Sequence, residues 1–207
     1  MSWWWKGMAL AVCLMCLLQE TAFGSETGFN ESVNFDQASL SPADPTHIEI
    51  PVIGIDRDIL EYTDEMVAEN DDSVDPDYLD EVAWWSGGGK PGTTLVNTVD
   101  TPEQNFTTYL YGHSTNNNSR KIVFDDIDWL DIGDEITLET EVGSFVYLVK
   151  EVFLIDKTDF TSDSRVLEDT PGRLLLISCW RSWSGSAPTT VNVVVVASLS
   201  NYVTNTN

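Results

Sequence analysis

Cysteine is scarce in this chain, histidine scarcer, and positive charge is heavily outnumbered. Of three cysteines in 207 residues, Cys13 and Cys16 fall in an apolar N-terminal stretch, and Cys179 stands alone in the rest. That excludes a disulfide scaffold, and an unpaired thiol in a chain with an export-type leader calls for explanation, because exported cysteines are usually paired. The histidines are His47 and His113 only. Ten Lys and Arg stand against 34 Asp and Glu, a net charge of −24. The leader's Lys6 and Glu20 cancel, so the deficit belongs to the remainder of the chain. Such a surface repels nucleic acid and anionic lipid, so no nucleic-acid partner is expected. Solubility in a salty or acidic exterior is the plainest account of the charge.

Long apolar runs are also missing. Met8 to Leu18 is apolar, follows Trp3-Trp4-Trp5-Lys6 and precedes the small residues Ala22 and Gly24. It is shorter than the ~20 residues a spanning helix needs and reads as a signal-peptide core. Counted from Trp3, it would also serve as a short membrane anchor, so residues 1–24 are a signal peptide or an N-terminal anchor. Leu10-Ala11-Val12-Cys13 makes a poor lipoprotein box because Val12 is large. Residues 25–45 are polar, hold Pro42 and Pro45, and read as a tether. About 180 residues follow the leader, enough for one domain with a sizeable core. Asp71, Asp72, Asp75 and Asp77 lack the glycine and distal glutamate of a calcium loop, so a solvated turn is expected, with no metal and no cofactor.

From His47 the character changes to short β-rich runs. Ile48, Ile50, Val52 and Ile53 suggest one strand, and Asp56 to Tyr62 a second after a turn at Gly54. Asp64 to Tyr78 is acidic and suits a short helix or a loop. Val82-Ala83-Trp84-Trp85 runs into the broken turn of residues 86–92. Further strands are expected at Thr94–Val99, Thr107–Tyr111, Glu135–Thr140, Ser144–Leu154, Arg173–Cys179 and Val191–Leu199. Eight such runs with little helical period predict an all-β barrel or sandwich. Arg173–Cys179 and Val191–Leu199 are apolar on both faces, which predicts central strands covered on both sides.

His113 and Cys179 each close an apolar or aromatic run, so each is expected at a strand end, where rigid scaffolds present reactive groups. Together they read as a nucleophile and its base. Singly, an inert buried thiol and a satisfied histidine are the plainer explanations. With ordinary values near 8.5 for a thiol and 6.5 for an imidazole, the neutral pair outweighs the thiolate–imidazolium pair about a hundredfold, ~2.7 kcal/mol. An acidic chain widens that gap, so either a cation sits close by or only a small fraction is active. Arg181, two residues past Cys179 and on the same side if the strand continues, is expected to supply the charge. Arg173 lies ~20 Å away along an extended strand, too far to act.

These phrases resemble the sortase family, bacterial cysteine transpeptidases that attach exported proteins to the cell envelope. TYLYGH at 108–113 is similar to the family's histidine motif. LLLISC at 174–179 is similar to its Thr-x-Thr-Cys-like strand ending, with Ser178 for the usual threonine. IEIPVIGID at 48–56, VAWWSGGGKPG at 82–92, FDDIDWLDIGDEITLET at 124–140 and VVVVASL at 193–199 follow in the family's order. The resemblance spans residues 46–200 and leaves 201–207 as a tail. The VAWW turn and Tyr111 before Gly112-His113 are closer to class E or F sortases than to class A or B. The resemblance implies an eight-stranded β-barrel with one or two short helices. It implies that Cys179 attacks the Thr–Gly bond of a signal similar to Leu-Pro-x-Thr-Gly or Leu-Ala-x-Thr-Gly, with His113 protonating the leaving amine. The thioester would pass to an amine of a peptidoglycan precursor or a pilin lysine. Tyr111 and Ser178 would line the pockets for the signal's second residue and threonine. The partners are then exported proteins bearing sorting signals and, through the N-terminus, the bacterial membrane. The site would lie at its extracytoplasmic face or be secreted.

One position departs from the pattern. Where sortases carry a last-strand arginine opposite the cysteine, this chain has Asn192. Asparagine donates a hydrogen bond without charge, and losing one oxyanion-type donor costs ~10²–10³ in rate. Either Arg181 supplies the charge, or Asn192 suffices at lower activity, or the site is degenerate. Two functions therefore stay open, an active transpeptidase and a non-catalytic module that binds sorting peptides. A papain-like protease is disfavoured, because there the cysteine precedes the histidine.

Overall fold

The computed structural model describes residues 40–71, 73–94, 105–114, 122–180 and 189–205, all within the unit Val33–Asn207. The leader and most of the tether lie outside these residues. No helix among them is long and apolar enough to cross a membrane.

Eight strands close into a barrel: β1 (Pro45–Ile50), β2 (Ile55–Tyr62), β3 (Val82–Trp85), β4 (Thr108–Gly112), β5 (Glu135–Thr140), β6 (Gly143–Asp156), β7 (Arg173–Cys179) and β8 (Val191–Thr204). Their order around the wall is β1-β2-β3-β4-β7-β8-β6-β5, and β1 closes on β5. β2–β3 and β4–β7 are parallel, and the other pairs are antiparallel. Two short helices accompany them. In α1 (Asp64–Glu69) the Thr63 hydroxyl accepts from the amide of Met66, and in α2 (Ser164–Leu167) the Asp163 carboxylate accepts from Arg165. The eight-stranded all-β barrel with short helices is thus the fold the sequence predicts.

Several boundaries differ from the sequence reading. Val52 and Ile53 belong to a 3-10 turn rather than a strand, because Pro51 has no amide to donate and Gly54 turns the chain back at φ 70°. The third strand is Val82–Trp85, too short for alternation to show in sequence. Of the expected strand Thr94–Val99, Thr94 is not in a strand and residues 95–99 lie outside the described ones. Leu40 and Ala43 are buried, and the Ala43 amide donates to Pro91 O at 3.2 Å, so residues 40–45 pack with the barrel rather than forming tether. β8 continues to Thr204, paired there with Gly143, so most of the supposed tail is strand.

β7 and β8 divide two cores. Leu174, Leu176, Val193, Val195 and Ala197 point into the barrel, against Ile48, Ile136 and Phe145 among others. Leu175, Ile177 and Val194 point outward onto Phe153, Ile155 and Val166. The two-sided cover predicted for these strands comes partly from α2, which carries Val166. The buried Arg173 ties that segment down, its guanidinium donating to the carbonyls of Glu168 and Arg165. Burying a side chain such as Leu174 or Leu176 fully contributes ~1.5–3 kcal/mol, which fixes the strand that ends in Cys179.

Candidate active site

The parallel pairing of β4 and β7 builds the site. Leu110 lies beside Leu176 and Tyr111 beside Ile177. Carried two residues further, that register sets His113 beside Cys179 on strands ~4.8 Å apart. Alternation turns both toward the outer face that carries Tyr111 and Ile177. On the other side of β7, Cys179 pairs with Asn192 of β8, and Asn192 pairs with Ile155 of β6. Lys157, two residues past Ile155, shares that face. Four neighbouring strand ends therefore present His113, Cys179, Asn192 and Lys157 in a row.

Two side chains lock the row where the backbone ladder stops. The Ser178 hydroxyl, buried inside the wall, donates to Gly112 O at 2.7 Å. The Ser114 hydroxyl donates to the carbonyl of Cys179. One clamp thus reaches Gly112, which flanks His113, and the other reaches the carbonyl of Cys179 itself.

His113 and Cys179 each have a polar partner. His113 Nε2 lies 2.6 Å from Pro76 O and 3.5 Å from Asp75 Oδ1. A carbonyl only accepts, so Nε2 carries a proton, and Nδ1 is the ring nitrogen that exchanges one in the neutral form. The Cys179 thiol is half-buried, and the Lys157 ammonium donates to its sulfur at 3.2 Å.

The row opens onto a cavity of about 780 Å³. Val74, Tyr109, Tyr111, Phe160 and Val166 are among its apolar walls, and Cys179, His113, Asn192 and Lys157 supply its polar side. Burial pushes the Tyr111 phenol well above its ordinary value, so it stays protonated and uncharged. Trp85 meets Tyr109 edge-on with centroids 5.6 Å apart and donates its indole N–H to Asp64 Oδ1 at 2.7 Å, which ties α1 to the rim. An apolar trough ending in a thiol suits an extended peptide with small or apolar side chains.

The family model for the sortase domain matches residues 48–200. The chain belongs to the sortase family. Its fold is similar to sortase A from Listeria monocytogenes at 18% identity and TM-score 0.54, over 81% of this chain and 93% of that one. Sortase C from Clostridium perfringens gives 19% and 0.51 over 78% and 73%, and a sortase of Actinomyces oris gives 16% and 0.54 over 82% and 86%. At these identities the likeness concerns the fold. No curated protein matches this sortase in sequence.

Of the residues singled out in the sequence, His113, Cys179, Tyr111, Ser178 and Asn192 all border this one cavity of the sortase. Arg181 lies outside the described residues, as do Cys13 and Cys16. Ser178 borders the cavity with its hydroxyl already engaged by Gly112. Sequence reasoning missed Lys157 and the Asp75-Pro76 pair. Phe153, Ile155 and Lys157 do alternate onto one face, but only the strand order β7-β8-β6 brings that face to the cysteine. Away from the site, His47, Glu49 and Asp56 each bring a potential ligand atom within 4.8 Å of the others. Both His47 nitrogens are held there at 3.0 Å, by Asp56 and Asp58, so the cluster reads as an ion pair.

Proposed function

We propose that this sortase is an active cysteine transpeptidase working on sorting signals at the extracytoplasmic face of the membrane. The observation that supports it most is the juxtaposition of His113 and Cys179 at the ends of parallel strands, above a peptide-sized trough. In this reading the Cys179 thiolate attacks the threonine carbonyl carbon of a Leu-Pro-x-Thr-Gly-like or Leu-Ala-x-Thr-Gly-like signal. The C–N bond to glycine breaks, and the imidazolium of His113 gives its proton to the departing amine. A thioester on Cys179 remains. An amine of a peptidoglycan precursor or a pilin lysine then attacks that carbonyl, His113 takes its proton, and the thiolate leaves. Tyr111 and Asn192 lie where they would contact the signal, Ser178 acts by fixing β7 to β4, and the residues before the barrel tether the enzyme to the membrane. Trp84-Trp85 and Tyr111 favour the class E or F type.

The test is to incubate the purified full chain with a signal peptide of either type and hydroxylamine. A threonyl hydroxamate and a free glycine-led fragment are expected, with neither formed by Cys179→Ala. The uncharged Asn192 favours one other reading, a sortase-fold module that binds sorting peptides without turnover. Peptide binding with no hydroxamate would establish that reading instead.

A further inference from the structure

We propose that Lys157 is the catalytic cation of this site and acts from β6 in the role that the sortase resemblance assigns to an arginine at position 192. The inference rests on Cys179 being the nucleophile, as above. Lys157 Nζ donates directly to Cys179 Sγ at 3.2 Å, so it touches the reacting atom. Its backbone is held as well, since the Lys157 amide donates to Thr190 O at 2.7 Å and adds a rung to the β6–β8 ladder. From there the side chain must cross β8 to reach β7. The residue paired with Cys179 on β8 is Asn192, whose short uncharged side chain leaves that crossing open. An arginine at 192 would project into the same space and oppose the ammonium. The asparagine and the lysine thus form a matched pair of changes.

Among the described residues, the arginines near this face are committed elsewhere. Arg165 is bonded to Asp163 at 2.8 Å and lies over the Phe153 ring at 3.8 Å. Arg173 is buried beneath α2 with backbone carbonyls as partners. The chemistry needs such a charge here, because Asp75 stands at the histidine end of the row and the chain is strongly acidic. When the Cys179 proton passes to His113 Nδ1, negative charge appears on sulfur beside a fixed ammonium. Lys157 keeps its own protons throughout, and in the acyl step it stands next to the developing oxyanion.

Two readouts on the full chain separate this claim from the proposed activity. The first needs no sorting peptide: the rate at which iodoacetamide alkylates Cys179 at neutral pH, read by peptide-level mass spectrometry so that Cys13 and Cys16 do not interfere. Lys157→Met is expected to slow it about tenfold, and Lys157→Arg to restore most of it. Lys157 is exposed, so the variants should melt like the native chain. The second is hydroxamate formation in a double-mutant cycle. Lys157→Met is expected to lose ~10²-fold, and Asn192→Arg to recover much of that loss in the Lys157→Met background while bringing no gain to the native chain. Unchanged alkylation in Lys157→Met overturns the proposal, as does an acyl group found on Lys157 itself. A tenfold alkylation effect in a chain that never cleaves a peptide would keep the cation and remove the transpeptidase.

Discussion

Gly112 sits between Tyr111, on the cavity wall, and His113, and its lack of a side chain is a requirement of the site. A Cβ there would come within 2.6 Å of the Phe124 ring and 2.9 Å of Val123. Both neighbours belong to the inner core and are buried, so the strand end would move instead. Gly112 O also receives the Ser178 hydroxyl, so any shift reaches β7. Gly112→Ala is therefore expected to destabilise by ~1–3 kcal/mol and to lower hydroxamate formation ~10²-fold, the loss persisting well below the melting transition. Thermal melting and the hydroxamate rate on the same sample check this. A variant that melts lower yet turns over normally would mean the histidine does not depend on this contact. At this scale the sequence was informative where chemistry is local. His113 and Cys179 stood out because few other residues of their types exist and both close apolar runs. Lys157 did not, because it precedes Cys179 by 22 positions and meets it only across an intervening strand.

Among the strands, β1 and β2 hold the second histidine in an arrangement that makes their pairing sensitive to pH. His47 of β1 contacts Asp58 and Asp56 of β2, each at 3.0 Å. The Asp58 hydrogen bond raises the imidazole above its ordinary value, burial opposes this, and Asp56 raises it further. A raised value in the folded state means stability that is fully present below the ordinary imidazole value of about 6.5 and lost as pH rises through the folded value. His47→Gln is expected to lower the melting temperature by no more than a few degrees near pH 6 and to have little effect near pH 9. Melting curves of both proteins across that range check it, and a difference that grows with pH would reverse the assignment. The strands themselves were largely legible, because β7 and β8 are apolar on both faces and β5 alternates. β3 was not, since four residues enclosed by two neighbours need no alternation. Nor was the turn at Pro51–Ile53, whose apolar side chains continue a strand-like pattern after the ladder has ended.

For the molecule as a whole, the sequence carried the fold class, but not the strand order that makes the site. Parallel β4 and β7 come together only after β5 and β6 have gone round the barrel, a long-range pairing that local patterns do not encode. The acidic composition indicated that a thiolate would need help, and the register between β6, β8 and β7 puts an ammonium on the sulfur. The central claim is that this arrangement produces a covalent intermediate on Cys179. Intact mass spectrometry of the full chain after brief exposure to a Leu-Pro-x-Thr-Gly-like or Leu-Ala-x-Thr-Gly-like peptide tests it directly. The account predicts an added mass equal to the peptide fragment ending in threonine, located on Cys179, removed by hydroxylamine and absent from a folded Cys179→Ala protein. Bound, uncleaved peptide with Cys179 unmodified would contradict it.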